Sequence, residues 1–309
     1  AAGFNSGFLQ RLARGPIAFD RLASELHIAP AMHDGLKTWL QTGVALGELA
    51  LDSGGYSIKG KLSRTLTKEK HDAAAAFLEE LAYLHNTLIT QTPERLRQGQ
   101  PFTLMDQNAS MIARSSRLAE PIICEALAEM IPERGPIRLL EIGCGAAAYI
   151  LYAASRNTEL TALGVELQAD AASLATANIS QWGLGTRVSI ELGDIRKKTP
   201  DASFDLVTLH QNIYYFPVPE RTNLLRHIRS FIKAEGQVLL TSICQGGGST
   251  AAVLDLWGAM TADCGRVPDP KELLAQIEEA GFVNVTTKRM IPGESFYAFT
   301  GTNPGKKQS

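Results

Sequence analysis

The chain has 309 residues, of which 45% are hydrophobic and 20% are charged, and its formal net charge is −2. This length allows two domains, and the apolar content excludes a wholly disordered chain. The near-neutral balance and the lack of a long basic run give no indication of nucleic acid or an acidic membrane as a partner.

The four cysteines lie far apart, at positions 124, 144, 244 and 264, and the six histidines are equally scattered. This spacing indicates neither a zinc site nor a disulfide framework, so we predict no metal ion and unpaired thiols in a reducing cytoplasm. No apolar run reaches the roughly 20 residues that span a bilayer, and no signal peptide is evident. Because the chain begins without Met inside an apparent helix, we expect native residues before Ala1.

The first sixty residues predict two helices and a hairpin. Apolar positions recur at helical spacing over 19–27 and 31–42, with a turn at Ile28–Pro30 between them and Gly43 at the end. Short runs on either side of Gly54-Gly55, within 47–58, predict a β-hairpin. Helix, turn, helix and hairpin in this order are typical of a winged helix.

Many winged helices bind DNA, but the charges here do not favour it. Residues 19–59 carry three basic and five acidic side chains, and the second helix offers only Lys37. Phosphate contacts normally need several cations, so packing or dimerisation is the better interpretation of this region. A non-catalytic winged-helix regulator with a sensing domain stays open as an alternative.

Two long helices follow, over 72–90 and 107–130, separated by a polar break at 91–101. From Arg138 the pattern changes to alternating strands and helices, and the chain ends in two strands joined by a short loop. We predict an α/β fold, a doubly wound, mostly parallel seven-stranded sheet, with a helical domain at 1–103 and the sheet domain at 104–309. The predicted strands are 138–142, 161–165, 187–192, 204–209, 236–243, 282–290 and 295–300, and the helices between them are 146–156, 168–182, 219–233 and 270–280.

The run Gly143-Cys144-Gly145 directly follows the first strand of the sheet and opens a helix. Glycines let backbone approach a ligand closely, and a helix N-terminus offers free N–H donors. By itself this run is also compatible with a dinucleotide loop, so an NAD(P)-dependent oxidoreductase stays open as an alternative.

Three acidic residues at strand ends make the prediction more specific. Glu141 stands two residues before Gly143, where it can accept from the ammonium of an amino acid, which NAD lacks. Glu166 ends the next strand and suits two ribose hydroxyls, and Asp194 can accept from an adenine amino group beside the apolar Ile195. The predicted cofactor contacts are Glu141, Gly143, Gly145, Glu166, Leu167, Gly193, Asp194, Ile195, Leu209 and His210.

On these residues, the stretch from Arg138 to Thr300 resembles the class I S-adenosylmethionine (SAM)-dependent methyltransferases. With the winged-helix front, the chain resembles the small-molecule O-methyltransferases of secondary metabolism. The resemblance implies SAM as cofactor and S-adenosylhomocysteine (SAH) as product. It also implies a small-molecule acceptor and a homodimer formed through the N-terminal domain, whose helices help to cover the substrate pocket.

The sequence departs from that family in two places. Ala147 replaces the third glycine of the cofactor loop, which still permits close approach. Tyr214-Tyr215-Phe216 stands where many of these enzymes carry His-Asp-Trp, whose His is their general base. Proximity alone suffices for amines, enolates and phenolates, so the methylated atom can be oxygen, nitrogen or carbon.

Candidates for catalysis and substrate binding are therefore taken from residues near the strand ends. His210 is a candidate base, and Tyr214 and Tyr215 are candidates for orienting a substrate. Arg114 is a candidate for holding a substrate carboxylate. The remaining substrate-binding candidates are Asn212, Trp257 and Met260.

Overall fold

A computed structural model describes residues 1–305 of the chain. It separates into two compact units: Ala1–Gln91 with Gln107–Leu118, and Thr92–Asp106 with the chain from Ala119 onward. The chain therefore crosses from one unit to the other at three places. A single boundary, at 103/104, was predicted. The functional assignment of the two domains stays a prediction.

The first unit contains the two helices and the hairpin predicted within residues 19–58. The second helix continues past Gly43, its predicted end, to Ala45. A Cβ at Gly43 would lie 2.7 Å from Leu49 Cδ1, so the helix and the first strand of the hairpin pack closely there. The elements are α1 (Ala2–Asn5), α2 (Phe8–Ala13), α3 (Phe19–Glu25), α4 (His33–Ala45), β1 (Leu49–Asp52), β2 (Gly55–Ile58), α5 (Lys61–Leu66), α6 (Asp72–Glu80), α7 (Asn86–Gln98) and α8 (Ala109–Ser115).

The predicted helix breaks between 72 and 130 are wrong in two respects. A π-helical turn, Leu81–His85, joins α6 to α7, and α7 continues to Gln98 with Pro93 inside it. The Gln, Glu and Arg residues of α7 are good helix formers. The polar residues in this segment therefore lie on an exposed face of the helix and do not end it. The predicted single helix 107–130 is instead interrupted by a tighter turn at Ser116–Ala119.

The second unit is built on a seven-stranded sheet in the order β5-β4-β3-β6-β7-β9-β8. The first five of its strands in chain order run parallel, while β9 lies antiparallel between β7 and β8. The predicted doubly wound sheet with a closing antiparallel hairpin is confirmed. The strands are β3 (Arg138–Ile142), β4 (Thr161–Glu166), β5 (Val188–Leu192), β6 (Phe204–His210), β7 (Ile232–Ile243), β8 (Val283–Arg289) and β9 (Phe296–Thr302); the helices are α9 (Glu120–Met130), α10 (Ala148–Arg156), α11 (Ala169–Gln181), α12 (Arg221–Arg229), α13 (Ser249–Met260) and α14 (Pro270–Glu279).

Helices cover both faces of this sheet because the side chains of each strand alternate between two apolar layers. Leu140 and Val207 belong to the layer with α12 and α14, while Leu139 and Leu206 belong to the layer with α9, α10 and α11. The predicted helix 219–233 ends earlier, at Arg229, because Ile232 already pairs with Phe204 in the sheet.

Residues 1–305 contain no helix that is long and apolar enough to cross a membrane. Within the same range, no group of three or more His, Cys, Asp or Glu side chains is arranged to hold a metal ion. All four cysteines lie in this range, and none of them forms a disulfide.

Candidate functional site

The candidate site lies at the carboxyl edge of the parallel sheet, where the strand order reverses. β3 pairs with β4 on one side and with β6 on the other. The chain fills one half of the sheet with β4 and β5 and then crosses to β6 and β7. Ligands of open α/β sheets bind in the crevice at such a reversal, and the predicted cofactor contacts follow these strand ends.

The loop at residues 143–147, called the glycine loop below, requires a glycine at its first position for two reasons. Gly143 has φ +67°, and a Cβ there would lie 2.7 Å from the amide nitrogen of Asn212. That nitrogen donates to the carbonyl of Ile142 at 2.5 Å, so Asn212 closes over the end of β3. Ala147 has φ +63°, the left-handed conformation that favours glycine, which accounts for the glycine of the resembling family at this position.

The carboxylate of Glu166 lies across this loop. One oxygen accepts from the backbone N–H of Gly145 at 2.9 Å and the other from that of Gln168 at 3.0 Å. The Glu166 carbonyl accepts from the N–H of Gly193 at 2.8 Å, which ties the end of β5 to that of β4. Each carboxylate oxygen has a second lone pair, so Glu166 can still accept from two neighbouring hydroxyls.

Four buried polar side-chain atoms on β3, on β6 and just after β6 have no hydrogen-bond partner among residues 1–305: Glu141 Oε2, Thr208 Oγ1, His210 Nε2 and Asn212 Oδ1. Glu141 and Thr208 are partners in the register of the two strands, so their side chains share one face of the sheet. Buried polar atoms are normally satisfied, so these atoms need partners from outside the protein, such as a bound ligand or water. Since Glu141 Oε2 and Asn212 Oδ1 are acceptor oxygens, an ammonium group with several N–H donors fits them.

Asp194 follows β5, and its carboxylate is held by Arg196, which was not among the predicted site residues. Its carboxylate accepts from the Arg196 guanidinium at 2.8 to 3.1 Å and from the backbone N–H of Arg196 at 3.0 Å. These hydrogen bonds lower the pKa of Asp194, which keeps the carboxylate an acceptor. Ile195 is buried and its carbonyl lies 2.9 Å from His227 Nε2, while the side chain of Leu167 is 56% exposed.

His210, at the end of β6, is buried and held from two sides. Its Nδ1 lies 3.0 Å from Thr241 Oγ1, and the ring of Tyr149 packs edge-on against it at 4.8 Å. Burial lowers the pKa of His210 to about 3, so the ring is neutral near pH 7 and accepts a proton poorly. This does not favour a general base. Leu209 is fully buried in the sheet, so its predicted cofactor contact would involve backbone atoms.

The substrate candidates after β6 and on α13 form an aromatic cluster. Tyr214 and Tyr215 lie 5.2 Å apart, and the ring of Trp257 lies 6.1 Å from the first and 5.3 Å from the second. Met260 is half-buried, and its carbonyl accepts from the N–H of Phe102 at 2.7 Å. The sequence singled out four of these side chains, and the fold brings three of them into contact.

A buried arginine, which was not among the predicted site residues, holds the segment that carries the two tyrosines. Arg221 is 1% exposed and donates to the carbonyls of Phe216 at 3.1 Å and Arg266 at 2.5 Å. Gly265 donates to the Tyr214 carbonyl at 2.9 Å and leaves no room for a Cβ beside Arg221. Burial lowers the pKa of Arg221 to about 10. An arginine in a helix is usually exposed, so no sequence pattern indicated this role.

Arg114 lies in the first unit, where acidic side chains hold it. Its guanidinium pairs with Asp72 at 2.6 Å and with Glu79 at 3.3 Å. The next residue, Ser115, donates to Glu80 at 2.5 Å. These contacts give Arg114 a structural role, and its predicted contact with a substrate carboxylate stays a prediction.

The strand order distinguishes this sheet from a dinucleotide-binding one. A Rossmann sheet runs 3-2-1-4-5-6, whereas this sheet places its last, antiparallel strand between the fifth and the sixth. Mitomycin 7-O-methyltransferase superposes with a TM-score of 0.79 at 16% identity, over 97% of this chain and 92% of that chain. Human N-acetylserotonin methyltransferase, solved with SAM, gives 0.74 at 15% identity, over 99% and 92%.

This chain has the class I methyltransferase fold. Residues 139–236 match the family model described as a methyltransferase domain. The 27-O-demethylrifamycin SV methyltransferase of Amycolatopsis mediterranei is 26% identical over 44% of this chain and 47% of its own length. The L-tyrosine C(3)-methyltransferase of Streptomyces lavendulae is 26% identical over 54% and 47%. The chain thus spans about half the length of these curated relatives.

Proposed function

We propose that the chain transfers a methyl group from SAM to a small-molecule acceptor. The observation that carries this proposal is a group of buried polar atoms beside the glycine loop that have no hydrogen-bond partner among the described residues, above all Glu141 Oε2 and Asn212 Oδ1. These acceptor oxygens can be satisfied by a ligand with N–H donors at the end of β3. The ammonium group of SAM supplies such donors.

The remaining parts of the cofactor fit the next two strand ends in chain order. Glu166 has the lone pairs for the two ribose hydroxyls, and Gly145 and Gln168 fix its orientation. Asp194 is placed to accept from the adenine amino group, with Arg196 holding its carboxylate. Gly193, Ile195 and Leu167 complete the proposed adenine and ribose contacts.

SAM supplies an electrophilic methyl group on a sulfonium, and its sulfur keeps the electron pair of the broken bond to give neutral SAH. The protein's task is to align the acceptor in line with that bond and to exclude water. His210 contributes position rather than basicity, since its Nδ1 is bonded to Thr241 and its pKa is low. Tyr214 and Tyr215 are proposed to orient the acceptor.

The acceptor is proposed to be a small molecule whose nucleophile is an amine, an enolate or an ionised hydroxyl. Trp257 and Met260 are the proposed substrate contacts, and Arg114 stays a candidate for a substrate carboxylate. Asn212, which was also predicted as a substrate contact, is proposed instead to accept from the ammonium group of SAM. The names of the relatives support a small acceptor, because they cover methyl transfer to oxygen and to carbon of small molecules.

Replacing Asp194 with alanine is expected to weaken SAH binding by roughly 1–3 kcal/mol, because the acceptor for the adenine amino group is lost. Calorimetric titration of the wild type and the variant measures this. The control is Asp201→Ala, which removes an exposed acid paired with Arg138 outside the site. If Asp194→Ala and Asp201→Ala bind SAH equally well, the adenine assignment is wrong.

We further propose a homodimer formed through the first unit, in the cytoplasm. Of the fifteen large hydrophobic side chains that are exposed in the described part of the chain, nine lie in that unit, which holds one third of the residues. Exposed apolar surface concentrated in one part of a protein is consistent with an interface. Ile89→Glu is expected to shift sedimentation toward a monomer, while Leu174→Glu, at an equally exposed site on α11, leaves the dimer intact. Equal behaviour of the two variants contradicts this interface.

The unpaired cysteines support the proposed location in a reducing compartment, the cytoplasm.

A further inference from the structure

The carboxyl group of Glu141 is enclosed at the centre of the site. Its side chain is 1% exposed, and Oε2 has no hydrogen-bond partner among residues 1–305. A backbone hydrogen bond from Ile150, in the first turn of α10, is the stabilising contact that an ionised form would have. An ionised carboxylate in such a place is costly unless a cation pairs with it.

The titratable groups around Glu141 supply no such cation. Burial and the neighbouring carboxylate of Glu166 both raise the pKa of Glu141 well above its usual range. Burial also raises the pKa values of nearby thiol and phenol groups, and an ionised Glu141 would raise them further. The titratable groups that interact electrostatically with Glu141 are Glu166 of β4, Cys144 of the glycine loop, Tyr149 of α10 and Cys124 of α9. Glu120 of α9 and His210 of β6 lie next to this group, since Glu120 interacts with Cys124 and Tyr149, and the His210 ring packs against Tyr149.

His210 is the one side chain of this group that becomes a cation when it is protonated. Because His210 is neutral, it supplies no positive charge to Glu141. Its ring is buried, and Thr241 already engages Nδ1. Thr208, opposite Glu141 on β6, is uncharged, and its hydroxyl has no hydrogen-bond partner within residues 1–305. The compensating positive charge must therefore come from a ligand.

We infer that Glu141 determines specificity for amino-acid-bearing ligands by holding a proton in the empty site and exchanging it for the ligand's ammonium group. This rests on the proposed function, in which that ligand is SAM or SAH. In the exchange the carboxylic acid releases its proton to solvent, and the resulting carboxylate pairs with the ammonium. No other bond changes.

The exchange has a measurable consequence for wild-type protein. Titration with SAH at pH 6, in two buffers of different ionisation enthalpy, is expected to show release of about one proton per site. The ligand's own α-amino group, with a pKa of about 8, stays protonated at that pH and contributes no proton. Because the bound state holds fewer protons, SAH affinity is expected to rise up to about tenfold per pH unit until Glu141 ionises in the empty site.

Two controls assign the proton. 5′-Methylthioadenosine keeps the adenine, ribose and thioether but lacks the amino acid, and it is expected to bind without proton release. Glu141→Gln is expected to bind SAH without proton release and with little dependence on pH. Glu120→Gln, which changes a neighbouring acid on α9, is expected to release the proton as the wild type does.

Difference infrared spectroscopy gives a second readout that depends on neither binding enthalpy nor activity. A protonated-carboxyl band is expected to disappear when SAH is added to the wild type and to be absent from Glu141→Gln. SAH binding without proton release overturns this inference and leaves the proposed function standing. Proton release by Glu141→Gln also overturns it, and absence of SAH binding to the wild type overturns both.

Discussion

Replacing Gly143 with alanine is expected to lower SAH affinity by about 100-fold or more and the free energy of unfolding by roughly 2–4 kcal/mol. The residue has φ +67°, and the added methyl group would lie 2.7 Å from Asn212 Nδ2. Asn212 must then leave the Ile142 carbonyl, which moves a proposed ammonium acceptor out of place. Calorimetric titration and urea unfolding measure the two effects.

Gly145→Ala separates the strain of the backbone from the steric clash. Gly145 also has a positive φ, +53°, but a Cβ there meets no atom within 4 Å. Its substitution is therefore expected to cost only about 1 kcal/mol of stability. If both alanine variants lose the same stability, the steric contact between residue 143 and Asn212 contributes nothing beyond backbone strain.

Replacing Glu166 with alanine is expected to weaken SAH binding by about 100-fold or more, because each hydrogen bond to a charged group contributes roughly 1.5–3 kcal/mol. The substitution removes the proposed ribose contacts and also the acceptors for the backbone N–H groups of Gly145 and Gln168. Glu166→Gln keeps one acceptor oxygen and is expected to lose only about tenfold. Affinity is measured by calorimetric titration.

The matched control is Glu191→Ala on the neighbouring strand. Glu191 pairs with Lys198 at 2.5 Å and contacts none of the loop N–H groups to which Glu166 is bonded. Its loss is expected to leave SAH affinity unchanged. An unchanged affinity in Glu166→Ala would exclude the ribose assignment, whatever the control shows.

Periodicity predicted most strands of the sheet to within a few residues, because each is a short apolar run between turn residues. Errors arose where contacts distant in the sequence decide the structure. α12 ends at Arg229 because Ile232 pairs with Phe204, and α7 continues through Pro93 on an exposed face. The placement of β9 between β7 and β8 is likewise set by pairing that no local pattern encodes.

The acids of the candidate site were predictable because each stands at the end of a strand or just after it. What they contact was not predictable. Whether Glu141 has a partner depends on the register of β3 with β6, and the bond between Asp194 and Arg196 depends on a local turn. Arg221 looked like any helix cation until the fold buried it against two carbonyls.

Calorimetric titration of the wild-type protein with SAH and, in parallel, with NADH tests the central claim most directly. The unsatisfied acceptor at Glu141 and the strand order both favour a ligand with an amino-acid ammonium over a dinucleotide. We expect saturable SAH binding in the micromolar range and no binding of NADH. Saturable binding of NADH without binding of SAH would contradict the account.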